Sequence, residues 1–369
     1  MNNSKRLASL DALRGFDMLF IMGFAPFVMA VCGLFEGGFW EGLSAQMEHV
    51  EWNGLAHHDT IFPLFLFIAG ISFPFSLASM RDKGLTDNKI YLRIARRVAI
   101  LVVLGFVYNG LFDLDFANLR LASVLGRIGV AWGVAAVLQM LFSTRVRVTI
   151  AGVVLVAYGL VSQFVAAPDA VAGADPISLE GCLAGWIDRQ LLPGAMYLGS
   201  MDPEGIFSTI PAVVTAMLGM FTGEFVRQPE ERVSGRKKVV AMALAGVAFG
   251  VVGALWSIAL PVNKTLWSST FVCVLACYSL LLFALFYYLI DVRGWQKWSF
   301  VFRVIGLNSI TIYMAQVIVN FGGISRYFLG GVARFCSPEW REVVLSGGYL
   351  LVSWLFLWVL YRKKIFLKV

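Results

Sequence analysis

Apolar runs of about twenty residues recur along the whole chain and restrict it to one class of fold. A run of that length lets an α-helix cross roughly 30 Å of hydrocarbon, and a helix satisfies its own backbone hydrogen bonds there. Hydrophobic residues make up 59% of the sequence and charged residues only 14%, which excludes an ordinary soluble globular protein. We therefore expect an all-α, polytopic integral membrane protein.

Ten membrane-spanning helices fit the apolar pattern, and an even number places both termini on the same side. The predicted spans are approximately 13–35, 60–79, 98–113, 122–142, 148–166, 205–226, 239–260, 267–290, 301–320 and 343–361. No linker or soluble domain interrupts them, so we treat residues 1–369 as a single transmembrane domain. The first run is longer than the apolar core of a cleavable signal peptide, which favours a retained anchor.

The distribution of positive charge predicts which side the termini face. Most of the 30 Lys and Arg residues fall in the N-terminal tail, the even-numbered connections and the C-terminal tail. The odd-numbered connections contain only Arg120, Arg189, Lys264, Arg326, Arg334 and Arg341. The positive-inside rule therefore predicts cytosolic termini, and topology explains the formal charge of +7 without a nucleic-acid partner.

Two of the loops predicted on the outer side are long enough to carry function. The first, residues 36–59, contains every histidine of the chain, namely His49, His57 and His58. The other comprises residues 167–204. We expect the first of these loops to contain the active site.

Histidines in such a loop can perform acid–base chemistry, bind a metal or simply face solvent. An ordinary imidazole has a pKa of about 6.5 and exchanges protons at neutral pH, and neutral imidazole is also a common metal ligand. His57 and His58 are adjacent and would point apart on a helix, and the sequence contains no HxxxH pair. One working histidine with nearby carboxylates is therefore the alternative to a solvated surface, and no metal site is predicted.

Ionisable side chains inside predicted spans are costly and are therefore candidate functional groups. Asp11 and Arg14 share one face of the first helix, where they form either a structural ion pair or part of a site. Arg127 is isolated in the fourth span and needs a carboxylate or a ligand anion. Cys182 and Cys336 both fall in outer loops, where an oxidising compartment would allow them to pair.

Five segments of the chain carry distinctive motifs in a fixed order. They are SLDALRG (9–15), HVEWNGLAHHDTIFPLFLFIAGISF (49–73), DPEGIFSTIPAVVTAMLGMFTG (202–223), PVNKTLWSSTFV (261–272) and GLNSITIYMA (306–315). Together they resemble the transmembrane acetyltransferases typified by heparan-α-glucosaminide N-acetyltransferase, which carry a D-x-x-R-G motif and an H-x-x-W-N-G-L-x-x-x-D motif followed by an F-P-x-F run. The resemblance covers essentially the whole chain.

The resemblance implies a membrane enzyme that uses cytosolic acetyl-CoA to acetylate the amino group of a glucosamine on the opposite side of the membrane. It matches His49 to the family's catalytic histidine, and Asp11 and Asp59 to the acidic residues of its first two motifs. His49 would then act as a general base or accept the acetyl group itself. A homodimer is a further expectation from the family.

Other polar residues match motif positions for which we expect only site or scaffold roles. They are Asn53, Lys264 and Asn308, and either asparagine could stabilise the oxyanion of the reaction. The segment between the first two motifs is longer here than in the heparan enzyme. An asparagine described there as assisting the histidine falls near residues 24–26 of this chain, which are Phe, Ala and Pro. Another group must therefore assist His49.

The charges on the two sides predict where donor and acceptor bind. Candidate contacts for anionic groups of CoA or substrate are Arg14, Arg93, Arg96, Arg97 and Arg127. The outer side is acidic, and Asp202 and Glu204 are candidate contacts for an acceptor that carries one ammonium group. We therefore expect a small or neutral glucosamine-containing acceptor.

Two other functions remain compatible with these residues. A histidine base would also support O-acetylation of a surface glycan, and the same polar groups could bind an amino sugar in a transporter. The chain length fits a compact bacterial-type relative, so we expect the cytoplasmic membrane of a bacterium as the location.

Overall fold

The computed structural model describes residues 7–367, which form fifteen α-helices and no β-strand within that range. The helices are α1 (Ala8–Leu19), α2 (Ala25–Cys32), α3 (Gly38–Ala45), α4 (His57–Asp82), α5 (Asp87–Tyr108), α6 (Val124–Leu141), α7 (Thr144–Phe164), α8 (Leu183–Leu191), α9 (Ile206–Val226), α10 (Gly235–Trp256), α11 (Ser269–Tyr287), α12 (Phe300–Gly306), α13 (Ser309–Ile318), α14 (Phe321–Arg334) and α15 (Pro338–Arg362). π-type turns at Phe20–Phe24 and Tyr288–Val292 join α1 to α2 and lengthen α11. The predicted all-α fold class is confirmed.

The ends of the chain carry part of the topology argument. Lys5, Arg6 and Lys368 contribute to the positive charge assigned to the cytosolic side. These three residues lie outside the described range 7–367. The cytosolic location of both termini stays a prediction.

Eight helical segments of the described chain are long and apolar enough to cross a membrane. They are Ala8–Cys32, His57–Asp82, Val124–Leu141, Thr144–Phe164, Ile206–Val226, Gly235–Trp256, Ser269–Val292 and Pro338–Arg362. The helices α12 and α13 form a ninth candidate only as a bent pair, because their axes meet at 68°. The predicted count of about ten spans is therefore not confirmed.

The predicted span 98–113 accounts for the difference. Residues 98–108 of this predicted span form the second half of α5, whose first half carries Asp87, Lys89, Arg93, Arg96 and Arg97. The apolar part that follows these charges is too short by itself to cross a hydrocarbon layer of roughly 30 Å. The charged residues in the first half of α5 therefore separate it from the candidate spans.

Helix α4 occupies the centre of the bundle. More of its apolar stretch is buried than in any other candidate span of the described chain, whereas α10 and α15 are the least buried. Glycines let α9 pack tightly against α4, since a Cβ added at Gly219 would overlap the backbone oxygen of Phe67. Small residues at such crossings supply close packing where lipid removes the hydrophobic driving force. The N-terminal end of α4 is therefore a rigid base for a site.

Helices α1 and α12 cross with the same kind of contact, and this crossing uses two of the motif segments. A Cβ added at Gly15 would overlap the backbone oxygen of Phe302, and one added at Gly306 would overlap that of Asp11. The glycines of the first and fifth motifs are thus required by close backbone approach. They act in packing and not in chemistry.

Cys182 and Cys336, which were predicted to lie in outer loops, do not pair in this structure. All five cysteines are free thiols. Cys182 is buried, with its Sγ atom 3.7 Å from Sδ of Met201, whereas Cys336 lies in a partly exposed turn after α14. Burial raises the pKa of the Cys182 thiol, which makes it less reactive.

Candidate active site

The loop between α3 and α4 brings His49 against the N-terminal turn of α4. Its Nδ1 atom lies 2.7 Å from Oδ1 of Asp59, the third residue of that helix. The other carboxylate oxygen, Oδ2, accepts the backbone N–H groups of Ala56 at 3.0 Å and Val50 at 3.4 Å. These bonds and the positive end of the helix dipole favour an ionised carboxylate. Ionised Asp59 accepts the proton on Nδ1, so Nε2 of His49 keeps its lone pair.

The two partners differ sharply in exposure. The side chain of His49 is 52% exposed, whereas that of Asp59 is 1% exposed. A small molecule can therefore reach the imidazole, while the carboxylate behind it is fixed and dry. A general base or a nucleophile requires this arrangement.

Lys264 completes the group with the two residues of the second motif. It lies in the segment 257–268 between α10 and α11, which we call the Lys264 loop. Its Nζ atom is 3.3 Å from Oδ1 of Asp59, 3.0 Å from Nδ1 of His49 and 3.4 Å from Nε2. Burial lowers the pKa of Lys264, while the negative charges of Asp59 and Glu204 act in the opposite direction. We call His49, Asp59 and Lys264 the His49 cluster.

Two contacts hold the His49 loop, residues 46–56, against the Lys264 loop. The backbone N–H of Gly54 donates to the carbonyl oxygen of Val262 at 2.8 Å. The amide of Asn263 donates to Oδ1 of Asn53 at 3.1 Å. Asn53, which the motif placed in the site, therefore braces the two loops, and its amide does not contact His49 in this structure.

The remaining histidines have separate surroundings. The His58 ring packs edge-on against His49, with 4.6 Å between ring centroids. His57 points elsewhere, with Nε2 3.2 Å from the hydroxyl of Tyr278 and its ring against Phe20. Within residues 7–367, no three His, Cys, Asp or Glu side chains are grouped closely enough to hold a metal ion.

Arg120 organises the acidic segment that precedes α9. Its Nε and Nη2 atoms each lie 2.6 Å from an oxygen of Asp202, and Nη2 also contacts Oε2 of Glu204. Asp202 is fully buried. Burial alone would raise the pKa of Asp202, but the hydrogen bonds and charge of Arg120 outweigh burial and lower it. Arg120 thus neutralises much of the negative charge of Asp202 and Glu204, the two residues that the sequence predicted as contacts for the acceptor.

Arg127 links that acidic segment to the Lys264 loop. Its guanidinium donates to the carbonyl oxygen of Gly205 at 3.2 Å and to the hydroxyl of Ser208. It also lies 5.1 Å from the ring centroid of Trp267, a cation–π contact. The Nε and Nη1 atoms are buried without a hydrogen-bond partner. The structure gives Arg127 polar and aromatic partners, and a direct ion pair with a carboxylate is not among its contacts.

Asp11 and Arg14 lie beside α4 beyond its middle, away from His49. Arg14 contacts Asp11 at 3.4 Å and Ser72 at 3.2 Å. Ser72 is thirteen residues beyond Asp59 on α4, which corresponds to about 20 Å along a helix. The structure therefore does not bring Asp11 to His49, and Asp11 cannot orient the imidazole directly.

The remaining predicted site residues are two arginines of α5 and one asparagine, and their contacts do not involve the His49 cluster. Arg97 lies over Trp132 at 4.2 Å, with its buried Nε atom unpartnered, whereas Arg96 is exposed. Asn308 sits at the bend between α12 and α13 and donates to the carbonyl oxygen of Ile365 at 3.2 Å. Since Ile365 follows the end of α15, Asn308 is not placed to stabilise an oxyanion at His49.

Comparison with known proteins supports the assignment made from the motifs. Heparan-alpha-glucosaminide N-acetyltransferase of Homo sapiens is 27% identical over 422 aligned positions, which cover 99% of this chain and 60% of the human protein. The Mus musculus protein of the same name is 26% identical over 426 positions, covering 100% and 61%. The chain resembles the heparan-α-glucosaminide N-acetyltransferases over its whole length. It spans about three fifths of the length of these relatives, and no family model matches it.

Sequence patterns alone miss three residues of the site. Arg120 is separated by 82 residues from Asp202, and nothing local in the sequence marks the pair. Asn263 acts through the amide of Asn53, 210 residues away. Trp267 is the first residue of the predicted span 267–290. A tryptophan at such a boundary is ordinarily an interfacial anchor, but Trp267 is buried against Arg127. Two signals were available. Asn263 and Trp267 fall inside the fourth motif segment (261–272), and basic residues are scarce in the loops predicted on the outer side, which singles out Arg120 and Lys264.

Proposed function

We propose that this protein is a transmembrane acetyltransferase that transfers the acetyl group of cytosolic acetyl-CoA to the amino group of a glucosamine-type sugar on the outer side of the membrane. The 2.7 Å contact between Nδ1 of His49 and Oδ1 of Asp59 carries the proposal, because it leaves Nε2 basic and accessible. The similarity to two N-acetyltransferases over nearly the whole chain supports the same chemistry.

The Nε2 atom of His49, which carries the lone pair, serves either of two mechanisms. An amino sugar is mostly protonated near neutral pH, and an ammonium group cannot attack a thioester. His49 takes a proton from the acceptor nitrogen as a general base, or it receives the acetyl group on Nε2 and passes it to the amine. In both mechanisms the imidazole becomes cationic, and the charge of Asp59 at 2.7 Å stabilises that state.

The donor is proposed to bind through the region of Arg14 and Arg97. Buried Nε of Arg97 has no hydrogen-bond partner, and its guanidinium rests on Trp132. A guanidinium with an unfilled donor fits a phosphate oxygen. The distance of about 20 Å along α4 to Asp59 would be crossed by the pantetheine arm, which presents the thioester at His49.

The acceptor is proposed to bind on the side of Glu204. Arg120 occupies both oxygens of Asp202 but only Oε2 of Glu204, which leaves Oε1 for an ammonium group. Glu204 also favours the charged form of Lys264, so its carboxylate lies within electrostatic range of the His49 cluster. One remaining carboxylate oxygen suits a single ammonium, and we therefore propose a small or neutral glucosamine-containing acceptor. The bacterial cytoplasmic membrane and a homodimer stay predictions.

The test is CoA release and N-acetylglucosamine formation by purified protein in detergent with acetyl-CoA and glucosamine. His49→Ala should abolish both signals with little change in thermal stability, because the His49 side chain is half exposed. His57→Gln should keep activity, since His57 points away towards Tyr278. Equal activity in wild type and His49→Ala would remove His49 from the mechanism.

The product distinguishes the alternative functions. An ester-linked acetyl group on a glycan would indicate O-acetylation. Movement of labelled glucosamine into vesicles without acetyl-CoA, preserved in His49→Ala, would indicate a transporter. An N-acetyltransferase releases CoA in a one-to-one ratio with N-acetylated product.

A further inference from the structure

Lys264 is held more firmly than an ordinary surface lysine. The backbone N–H of Asn263 donates to the hydroxyl of Ser268 at 3.0 Å. The side-chain oxygen of Asn263 accepts the backbone N–H of Leu266 at 2.8 Å. Trp267 adopts a left-handed φ of 52° and is buried, which closes the loop tightly. The side chain of Lys264 is only 18% exposed. The Lys264 loop therefore fixes the ammonium in a defined place before any substrate binds.

That place is beside the reactive nitrogen of His49. Nδ1 of His49 gives its proton to Asp59, so it cannot also accept one from Lys264 at 3.0 Å. The ammonium lies 3.3 Å from Oδ1 of Asp59 and 3.4 Å from Nε2. A thioester carbonyl that reacts at Nε2, or with an amine held by Nε2, would bring its oxygen close to this ammonium.

We propose that the ammonium group of Lys264 stabilises the negative charge that develops on the carbonyl oxygen of the acetyl thioester during transfer at His49. The inference rests on the proposed function. It assigns Lys264 a catalytic role beside His49, in place of the asparagines expected from the motifs. The side-chain oxygen of Asn53 accepts from Asn263, and Asn308 donates to the carbonyl oxygen of Ile365, whereas Lys264 contacts the ring of His49 directly.

The charges balance at each stage of the transfer. In the free site, cationic Lys264 and anionic Asp59 surround a neutral His49. The ammonium form of the acceptor first loses a proton to solvent. As the neutral amine then attacks the thioester carbon, a proton passes from its nitrogen to Nε2 and the carbonyl electron pair moves onto oxygen. The site then holds a new cation on His49 and a new anion on the oxygen beside Lys264. Collapse re-forms the C=O bond, breaks the C–S bond and returns the proton from His49 to the sulfur of CoA.

A purely positioning role makes a different prediction. If Lys264 served only to neutralise Asp59, its removal would change the proton affinity of His49, and raising the pH would restore activity. The groups that act on Lys264 are Asp59 and Glu204, which favour its charged form, and Arg127 with burial, which oppose it. A catalytic Lys264 therefore gives the wild type an alkaline fall in kcat as the ammonium loses its proton.

The experiment compares wild type, Lys264→Met, Lys264→Arg and Lys237→Met across a pH series, with acetyl-CoA and glucosamine as substrates. Methionine keeps the length of the side chain but removes its charge, and exposed Lys237 at the start of α10 provides the matched control. We expect Lys264→Met to lower kcat by about 10²- to 10³-fold at every pH, the usual effect of removing one oxyanion donor. Its KM for acetyl-CoA should change less than about threefold, and its alkaline fall should disappear.

Each other outcome is decisive. A kcat within about threefold of the wild type in Lys264→Met, or full recovery at alkaline pH, would overturn the catalytic role while leaving the acetyltransferase in place. No acetyl transfer by the wild type would overturn the proposed function and this role together. If Lys264→Met fails to fold, Lys264→Arg decides, because arginine retains the charge. We expect this variant to keep about a tenth or more of the wild-type kcat, with its alkaline fall in kcat moved to higher pH. An alkaline fall at the wild-type pH would refute the role.

Discussion

Replacing Asp59 by asparagine tests whether this carboxylate fixes the state of His49. Four N–H donors converge on Asp59: the backbone groups of Ala56 and Val50, the ring of His49 and the ammonium of Lys264. A carboxylate accepts from all of them, whereas an asparagine has one acceptor oxygen and two N–H donors of its own. At least one donor must then face another donor in a site where Asp59 is 1% exposed.

The structure gives a magnitude for both stability and rate. One buried unpaired donor costs about 1–3 kcal/mol, so we expect a loss of that size in the free energy of unfolding. If the amide nitrogen turns towards His49, Nδ1 must accept, and the proton moves to Nε2. The equivalent replacement in a Ser-His-Asp triad lowers kcat by about 10⁴-fold through this change of tautomer. We expect about 10³- to 10⁴-fold here, because Lys264 supplies a second contact to the ring.

The assay is CoA release followed with a thiol reagent, together with thermal unfolding in detergent. Asp115→Asn is the matched control, because Asp115 is exposed in the loop between α5 and α6 and bonds only to Asn118. It should match the wild type in both measurements. A kcat for Asp59→Asn within about threefold of the wild type, in protein with an unchanged unfolding midpoint, would refute the assigned tautomer and the role of the pair.

Further predictions concern the scaffold. Arg120→Met leaves Asp202 buried without its cation and should lower the free energy of unfolding by about 3–5 kcal/mol in a detergent melt, which an unchanged midpoint would contradict. Because Arg120 lowers the pKa of Asp202, the stability from this pair is present above the ordinary value of 3.8 and is lost as the pH falls below it, so wild type should lose stability there more steeply than Asp202→Asn. Gly219→Ala should cost about 1–3 kcal/mol through overlap with Phe67, whereas Gly330→Ala, which has no neighbour within 4 Å, should cost nothing.

Two regions of α4 would serve the proposed transfer across a membrane. The N-terminal end holds the His49 cluster, and a region beyond the middle of the helix contacts Arg14 through Ser72. Glycine crossings with α9 pack α4 tightly between them. In the proposed reaction, a donor held near Arg14 would present its thioester at a fixed place beside His49.

The sequence alone determined the class of the protein and pointed to the residue at the centre of its candidate site. Twenty-residue apolar runs require transmembrane helices because hydrocarbon offers no partner to a free backbone group. The short separation of His49 from Asp59, together with the motif around them, identified this pair before any coordinates. Such information is local in the chain, so a linear pattern contains it.

Only the tertiary structure decided which distant residues join that pair and which do not. It brings Lys264 to His49 across 215 residues and Arg120 to Asp202 across 82 residues. It also leaves the motif residue Asp11 beside Arg14. Ser72, the residue of α4 that Arg14 contacts, lies about 20 Å along the helix from Asp59. The reason is that helix periodicity records which face of a segment is apolar, whereas the meeting of two loops depends on how the crossings of whole helices place their ends.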